Sequence, residues 1–140
     1  MLPSRLIPFM LLGVLACGSD HASGPAADLT GSWSGTESLS GSGLSCSITL
    51  TMQLSQTHGT FNGTYSNGSI NCSGQSQAGL TGTIINGTVT GSAVAFDIDD
   101  PGAHQTGTVA GNTMNGSAHW TVSTSSGSVS LAGTWSATRP

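Results

Sequence analysis

The chain repeats one short unit. Leu29-Thr30-Gly31-Ser32-Trp33-Ser34 returns near the end as Leu131-Ala132-Gly133-Thr134-Trp135-Ser136. Between them stand Phe61-Asn62-Gly63-Thr64-Tyr65, Leu80-Thr81-Gly82-Thr83-Ile84, Gln105-Thr106-Gly107-Thr108-Val109 and Met114-Asn115-Gly116-Ser117-Ala118. The unit is mostly apolar, any residue, Gly, Thr or Ser, apolar. Alternate positions of a strand share a face, so each unit turns its apolar residues and its glycine inward and its hydroxyls outward. A chain built from one β-unit used again and again is expected to form a single closed antiparallel sheet. The many Gly and Ser residues would also suit a disordered tract, but such a tract has no reason to keep period two.

Read in order, the unit predicts eight strands, over 29–39, 46–56, 60–72, 80–90, 94–98, 105–110, 114–122 and 129–138. His58-Gly59, Gly91-Ser92, Asp99-Asp100-Pro101-Gly102 and Gly111-Asn112 read as turns, and a polar loop through Gly74 and Gln77 precedes the fourth strand. Short connections favour sequential antiparallel neighbours. The expected fold class is therefore all-β, an up-and-down antiparallel barrel of eight strands with no helix apart from a signal peptide. Closure removes the exposed edges that an open sheet would carry. The first and last strands would then pair and set Trp33 near Trp135, with Trp33 plugging one end of the barrel.

Only 6% of the residues are charged, lysine is absent, and the arginines are Arg5 and Arg139. Nucleic-acid binding needs clustered cations to displace counterions, so it is excluded. Enzyme chemistry needs a poised acid, base or nucleophile. Glu37 and Asp97 read as single solvated carboxylates, His58 as a turn residue, and His119 as outward-facing beside Trp120. Asp97, Asp99, Asp100 and His104 form the densest polar cluster, and carboxylates in that number suit a hard cation. Asp-Pro-Gly is also ordinary turn chemistry, and the expectation is no metal, no cofactor and no enzyme.

Arg5 and the apolar run 6–15 have the form of a signal peptide, too short to span a membrane. The run ends Val14-Leu15-Ala16-Cys17, which resembles the lipobox of bacterial lipoprotein precursors. The resemblance implies a signal peptide over 1–16, lipidation of Cys17, a flexible tether over 17–27 and a barrel domain over 28–140. It also implies export and attachment to a membrane of the cell envelope, the outer one, because Gly18 stands where aspartate would favour inner-membrane retention. The plain alternative is a secretory signal cut after Ala16, with Cys17 incidental.

Export makes a disulfide the default for Cys46 and Cys72. The two are equidistant from Gly59, so a long hairpin turning at His58-Gly59 sets them opposite one another. A bulge at Asn67-Gly68 is needed to keep Cys72 in phase with Phe61 and Tyr65. Closing that loop stabilises the fold by roughly 3 kcal/mol on the chain-entropy account.

Leu29-Thr30-Gly31-Ser32-Trp33, with Gly59-Thr60-Phe61-Asn62-Gly63-Thr64-Tyr65-Ser66, resembles the opening of avidins and, more loosely, the Gly-x-Trp start of lipocalins. These calycin-type families imply an eight-stranded barrel that binds a small molecule at its mouth. Tyr65 matches the ligand-contacting tyrosine of avidins. Gly35, Asn67 and Thr124 depart from the biotin-site pattern, so the resemblance implies the barrel and not that ligand. The pattern as a whole resembles small bacterial lipoproteins with lipocalin-like barrels.

Two functions follow. One is a lipid-anchored envelope barrel binding a small apolar or amphipathic ligand, with Trp33, Leu50, Met52, Tyr65, Phe96, Trp120 and Trp135 as the expected lining. The other is a filled structural or interaction barrel whose hydroxyl-rich outer face meets other envelope components.

Overall fold

A computed structural model describes residues 24–140; residues 1–23, which hold the expected signal peptide, Cys17 and most of the tether, lie outside the described residues. The chain forms β1 (Gly31–Gly41), β2 (Leu44–Thr57), β3 (Thr60–Cys72), β4 (Gln75–Thr90), β5 (Ala93–Ile98), β6 (Asp100–Ala110), β7 (Thr113–Thr124) and β8 (Gly127–Thr138). They pair in sequence order, all antiparallel, and β1 pairs with β8 to close the barrel. The expected all-β, eight-stranded up-and-down barrel is thus the observed one, consistent with a calycin-like architecture.

The alternation of the repeat decides which face is inside. Along β1, Trp33, Gly35, Glu37 and Leu39 are buried, while Ser32, Ser34, Thr36, Ser38 and Ser40 are exposed. The outward residues meet across strands as Ser34↔Thr51, Thr36↔Thr49 and Ser38↔Ser47 on one side of β1 and Thr36↔Ser136 and Ser38↔Thr134 on the other. An apolar inside under a hydroxyl-covered outside is the reverse of a membrane-spanning barrel, whose outer wall must face lipid.

The long hairpin forms in the expected register. Thr57 pairs with Thr60 across His58-Gly59, and Cys46 pairs with Cys72. The ladder jumps between Thr49↔Ser69 and Thr51↔Ser66, so Leu50 faces the Asn67-Gly68 bulge. Asn67 supplies the required positive φ of 53°. The Cys46–Cys72 disulfide forms, with the two Cα atoms 4.1 Å apart.

Three expectations are corrected. β4 begins at Gln75, not after a polar loop, because Ser73 and Gly74 both take positive φ and close a tight turn. The Asp99-Asp100-Pro101-Gly102 turn shrinks to Asp99, and β6 begins at Asp100. There the chain takes a φ of 58° at Asp99, whose amide donates to Thr83 O (2.8 Å) while its carboxylate accepts from the Thr83 amide (2.7 Å). Trp33 and Trp135 are not neighbours in register: Trp135 lies opposite Glu37, two inward positions further along β1.

One end of the barrel is sealed. Trp33 is fully buried, and its indole Nε1 donates to Leu29 O at 2.8 Å. Leu29 is equally buried, and its amide donates to Gln56 Oε1 at 2.8 Å. The Arg139 guanidinium lies 4.6 Å from the Trp33 ring centroid and closes the stack from outside. Trp33 therefore acts as the expected plug. Above it, Phe96 stands edge-on between Phe61 and Trp135, with centroids 5.9 and 5.2 Å away. Trp135 fits because Gly116 lies opposite it and Gly107 lies opposite Gly116. A side chain at Gly116 would collide with the Thr106 carbonyl oxygen, one of two carbonyls that the Trp135 indole reaches at 3.1 Å.

Candidate functional site

The opposite end is open. It is built from the ends of β1, β3 and β7 and the starts of β2 and β8, which run past the short β5. Leu39, Cys46, Ile70, Cys72, Val129 and Leu131 wall a pocket of about 270 Å³. Leu44 and Val122 form its lip and are each 40% exposed, the exposed large apolar residues of the described chain. Apolar side chains left this open are informative because the rest of the outer wall is polar. The disulfide is part of the wall, so the covalent link holds the pocket's shape where packing is thin. Its volume sits at the lower edge of the roughly 300–1,000 Å³ usual for small-molecule sites, which suits a small ligand.

Trp120 lies at the inner end of this pocket and is half-buried. Its indole Nε1 donates to Glu37 Oε1 at 3.1 Å, inside the barrel. Glu37 is 5% exposed and also accepts from Gln105 Nε2 at 3.2 Å. Burial, partly offset by the Gln105 and Trp120 hydrogen bonds, pushes its carboxyl above the usual glutamate range. Gln105 is 1% exposed, and among the described residues its Oε1 has no hydrogen-bond partner. Beside these two groups lies a void of about 20 Å³, bounded by Leu50, Met52, Phe96, Ile98 and Trp135. That space takes about one water molecule and no organic ligand.

The expected lining therefore divides. Leu50, Met52, Phe96 and Trp135 meet around the inner void, Trp120 lines the mouth pocket, and Trp33 belongs to the sealed end. Tyr65 sits on the inner side of β3, beside Met52 and Gly82, and its hydroxyl donates to Asp99 Oδ2 at 2.6 Å. Burial and then the Asp99 carboxylate push the phenol up to about 12. Gly82 is required here, since a Cβ would run into the Asp99 carboxylate.

The expectation that Glu37 and Asp97 are solvated is wrong for both. Glu37 is inside the barrel. Asp97 faces outward but is 6% exposed, because Asn86 Nδ2 donates to it at 2.7 Å and His104 Nδ1 meets it at 2.6 Å. Asp99 instead binds Tyr65 and Thr83, so the Asp97-to-His104 cluster is split between two faces of the sheet. Among the described residues no group of three or more acidic, His or Cys side chains is arranged to hold a metal. Glu37 and Gln105 were missed as interior groups. Their parity announces them: Glu37 shares odd positions with Trp33 and Leu39, and Gln105 shares them with Val109.

Larger hollows of 480 to 580 Å³ lie on the outer wall, but Ser, Thr and Asn make up most of their lining and they open widely to solvent. A ligand there would leave most of its surface wet, so the mouth is the better site despite its smaller volume. Comparison of the chain with protein-family models, curated proteins and solved structures gives no match.

Proposed function

We propose that this chain is a lipid-anchored barrel of the bacterial cell envelope that takes a small apolar or amphipathic ligand into its open mouth. The observation that carries the reading is the apolar pocket of about 270 Å³ with Leu44 and Val122 exposed at its lip. Removing apolar surface from water is the main driving force a nearly uncharged site has to offer, at about 25 cal/mol per Å². The proposed role is binding rather than turnover: the Asp97–His104 pair lies on the outer wall, across the sheet from the pocket. The Val14-Leu15-Ala16-Cys17 motif supports the anchor and Cys17 as its attachment point. Ala27 bonds to the Gly91 carbonyl at the sealed end, so the chain enters the barrel at the end opposite the mouth.

Native mass spectrometry of the chain purified gently from its producing cell tests both parts. Adduct mass lost on denaturation, together with an acylated Cys17, is the expected result. A bare barrel that also fails to take up an apolar dye would favour the filled, structural barrel. An unmodified mature chain would remove the anchor.

A further inference from the structure

The interior holds an electrostatic mismatch. Glu37 sits in a cavity walled mainly by Ile48, Leu50, Met52, Phe96, Ile98 and Trp135, and no other lining residue is titratable. Directly across the sheet it faces Ile48 and Trp135, and the next inward position, Leu39, faces Cys46 and Gly133, again without a cation. Arg139, the one Lys or Arg among the described residues, is at the far end over Trp33. Gln105 turns a carbonyl oxygen into the same space and finds no partner for it among the described residues. A buried acceptor without a donor is costly, and a buried carboxyl without a cation is more so. Proteins seldom keep two such groups side by side unless something completes them. With Glu37 ionised both groups are acceptors, so what completes them must donate.

Trp120 controls the way in. Its ring lines the mouth pocket, and its indole N–H occupies Oε1 of Glu37, which lines the inner void. Being half-buried and facing the open end, the ring has room to swing into the mouth, whereas Trp33 and Trp135 are packed on all sides. A swing would join the pocket of about 270 Å³ to the void of about 20 Å³ and uncover the carboxyl.

We propose that the barrel selects ligands with an apolar body and a protonated amine head, which displaces the Trp120 indole and is held between Glu37 and the free Gln105 oxygen. This rests on the reading of the mouth as a ligand pocket and adds the head group. An ammonium carries several N–H donors, enough for both acceptors, and supplies the missing charge. A carboxylate head meets a like-charged carboxylate and the acceptor oxygen of Gln105, and is rejected. A hydroxyl head supplies one donor and no charge, and ranks between them.

The test is calorimetric titration of the disulfide-intact chain with octylamine, octanol and octanoate, which share one tail. Octylamine is expected to bind about tenfold or more tighter than octanol, the advantage of a charged over a neutral hydrogen bond, with octanoate weakest. Glu37→Gln should bring octylamine down to the affinity of octanol. Trp120→Phe removes the competing N–H while keeping a ring, and should tighten octylamine several-fold, a gain that a merely structural tryptophan would not give. If octanol binds and octylamine shows no advantage, or Glu37→Gln leaves that advantage intact, the head-group proposal is overturned and the pocket survives. If no probe binds, pocket and head-group proposal fall together.

Discussion

The two ends of this barrel are made from the same repeat and finished differently. At the sealed end, Leu29, Trp33, Val89 and Met114 are almost wholly buried. At the mouth, Leu44 and Val122 are left open, and a disulfide joins β2 to β3. Aromatic residues are only 5% of the chain. A small barrel with so few bulky side chains can fill one end to native density and not both. The open end therefore keeps its shape by a covalent bond, and the buried Glu37–Gln105 pair lies between the two regimes.

Truncating the plug should have the largest effect. Trp33→Ala is expected to cost about 3–5 kcal/mol in urea unfolding, because it empties the sealed end and strands the Leu29 carbonyl. Replacing both Cys46 and Cys72 by serine should cost about 3 kcal/mol. Amide exchange should tell the two lesions apart. The cysteine variant should speed exchange first at the mouth ends of β2 and β3, whereas the tryptophan variant should raise it throughout. Similar exchange maps for both would mean that the ends are not independent.

Glu37→Gln probes the boundary, with a smaller effect that depends on pH. Burial raises the carboxyl's pKa in the folded state. The native state then holds its proton more tightly than the unfolded chain. Stability is full below the ordinary glutamate range and falls as pH climbs from that range through the raised folded value. The glutamine variant should lack this decline and be the more stable protein at neutral pH. A wild-type stability curve flat across that interval would contradict the desolvated carboxyl.

Tyr65 is the sole tyrosine, so ultraviolet titration reads it directly. Its midpoint should lie at about 12, and Asp99→Asn should lower it by removing the carboxylate beside the phenol. The phenol–carboxylate bond is worth its full stability below the ordinary phenol range and is lost as pH rises toward 12. The smallest effect on stability is expected at the lip. Leu44→Ser should change unfolding free energy by less than about 0.5 kcal/mol, yet weaken binding of an apolar probe severalfold. Equal binding by Leu44→Ser and the parent would place the ligand elsewhere.

Much of this was legible in the residues. Period-two alternation gave the strands and their faces, and the spacing of Cys46 and Cys72 about Gly59 gave the hairpin register, down to the bulge at Asn67-Gly68. Turn chemistry was legible where Gly led, as at Gly91-Ser92 and Gly111-Asn112. It was not legible at Ser73 or Asp99, which take positive φ against their usual preference because strand pairing on both sides imposes it. The same parity that places Trp33 also places Glu37 inside, but a charge at an inward position contradicts the usual expectation that carboxylates are solvated.

The sequence by itself determined the strand order, the inward and outward faces, the plug at Trp33 and the disulfide, because each depends on local parity and short connections. Only the tertiary structure decided what the interior does. Closing β8 onto β1 sets Trp135 opposite Glu37, and the barrel's diameter brings Trp120 and Gln105 to the same carboxylate oxygen from strands far apart in sequence. Those contacts follow from the stagger of a closed sheet, which no single strand carries in its residues. Whether an inward acceptor finds a donor is settled only when the sheet has closed.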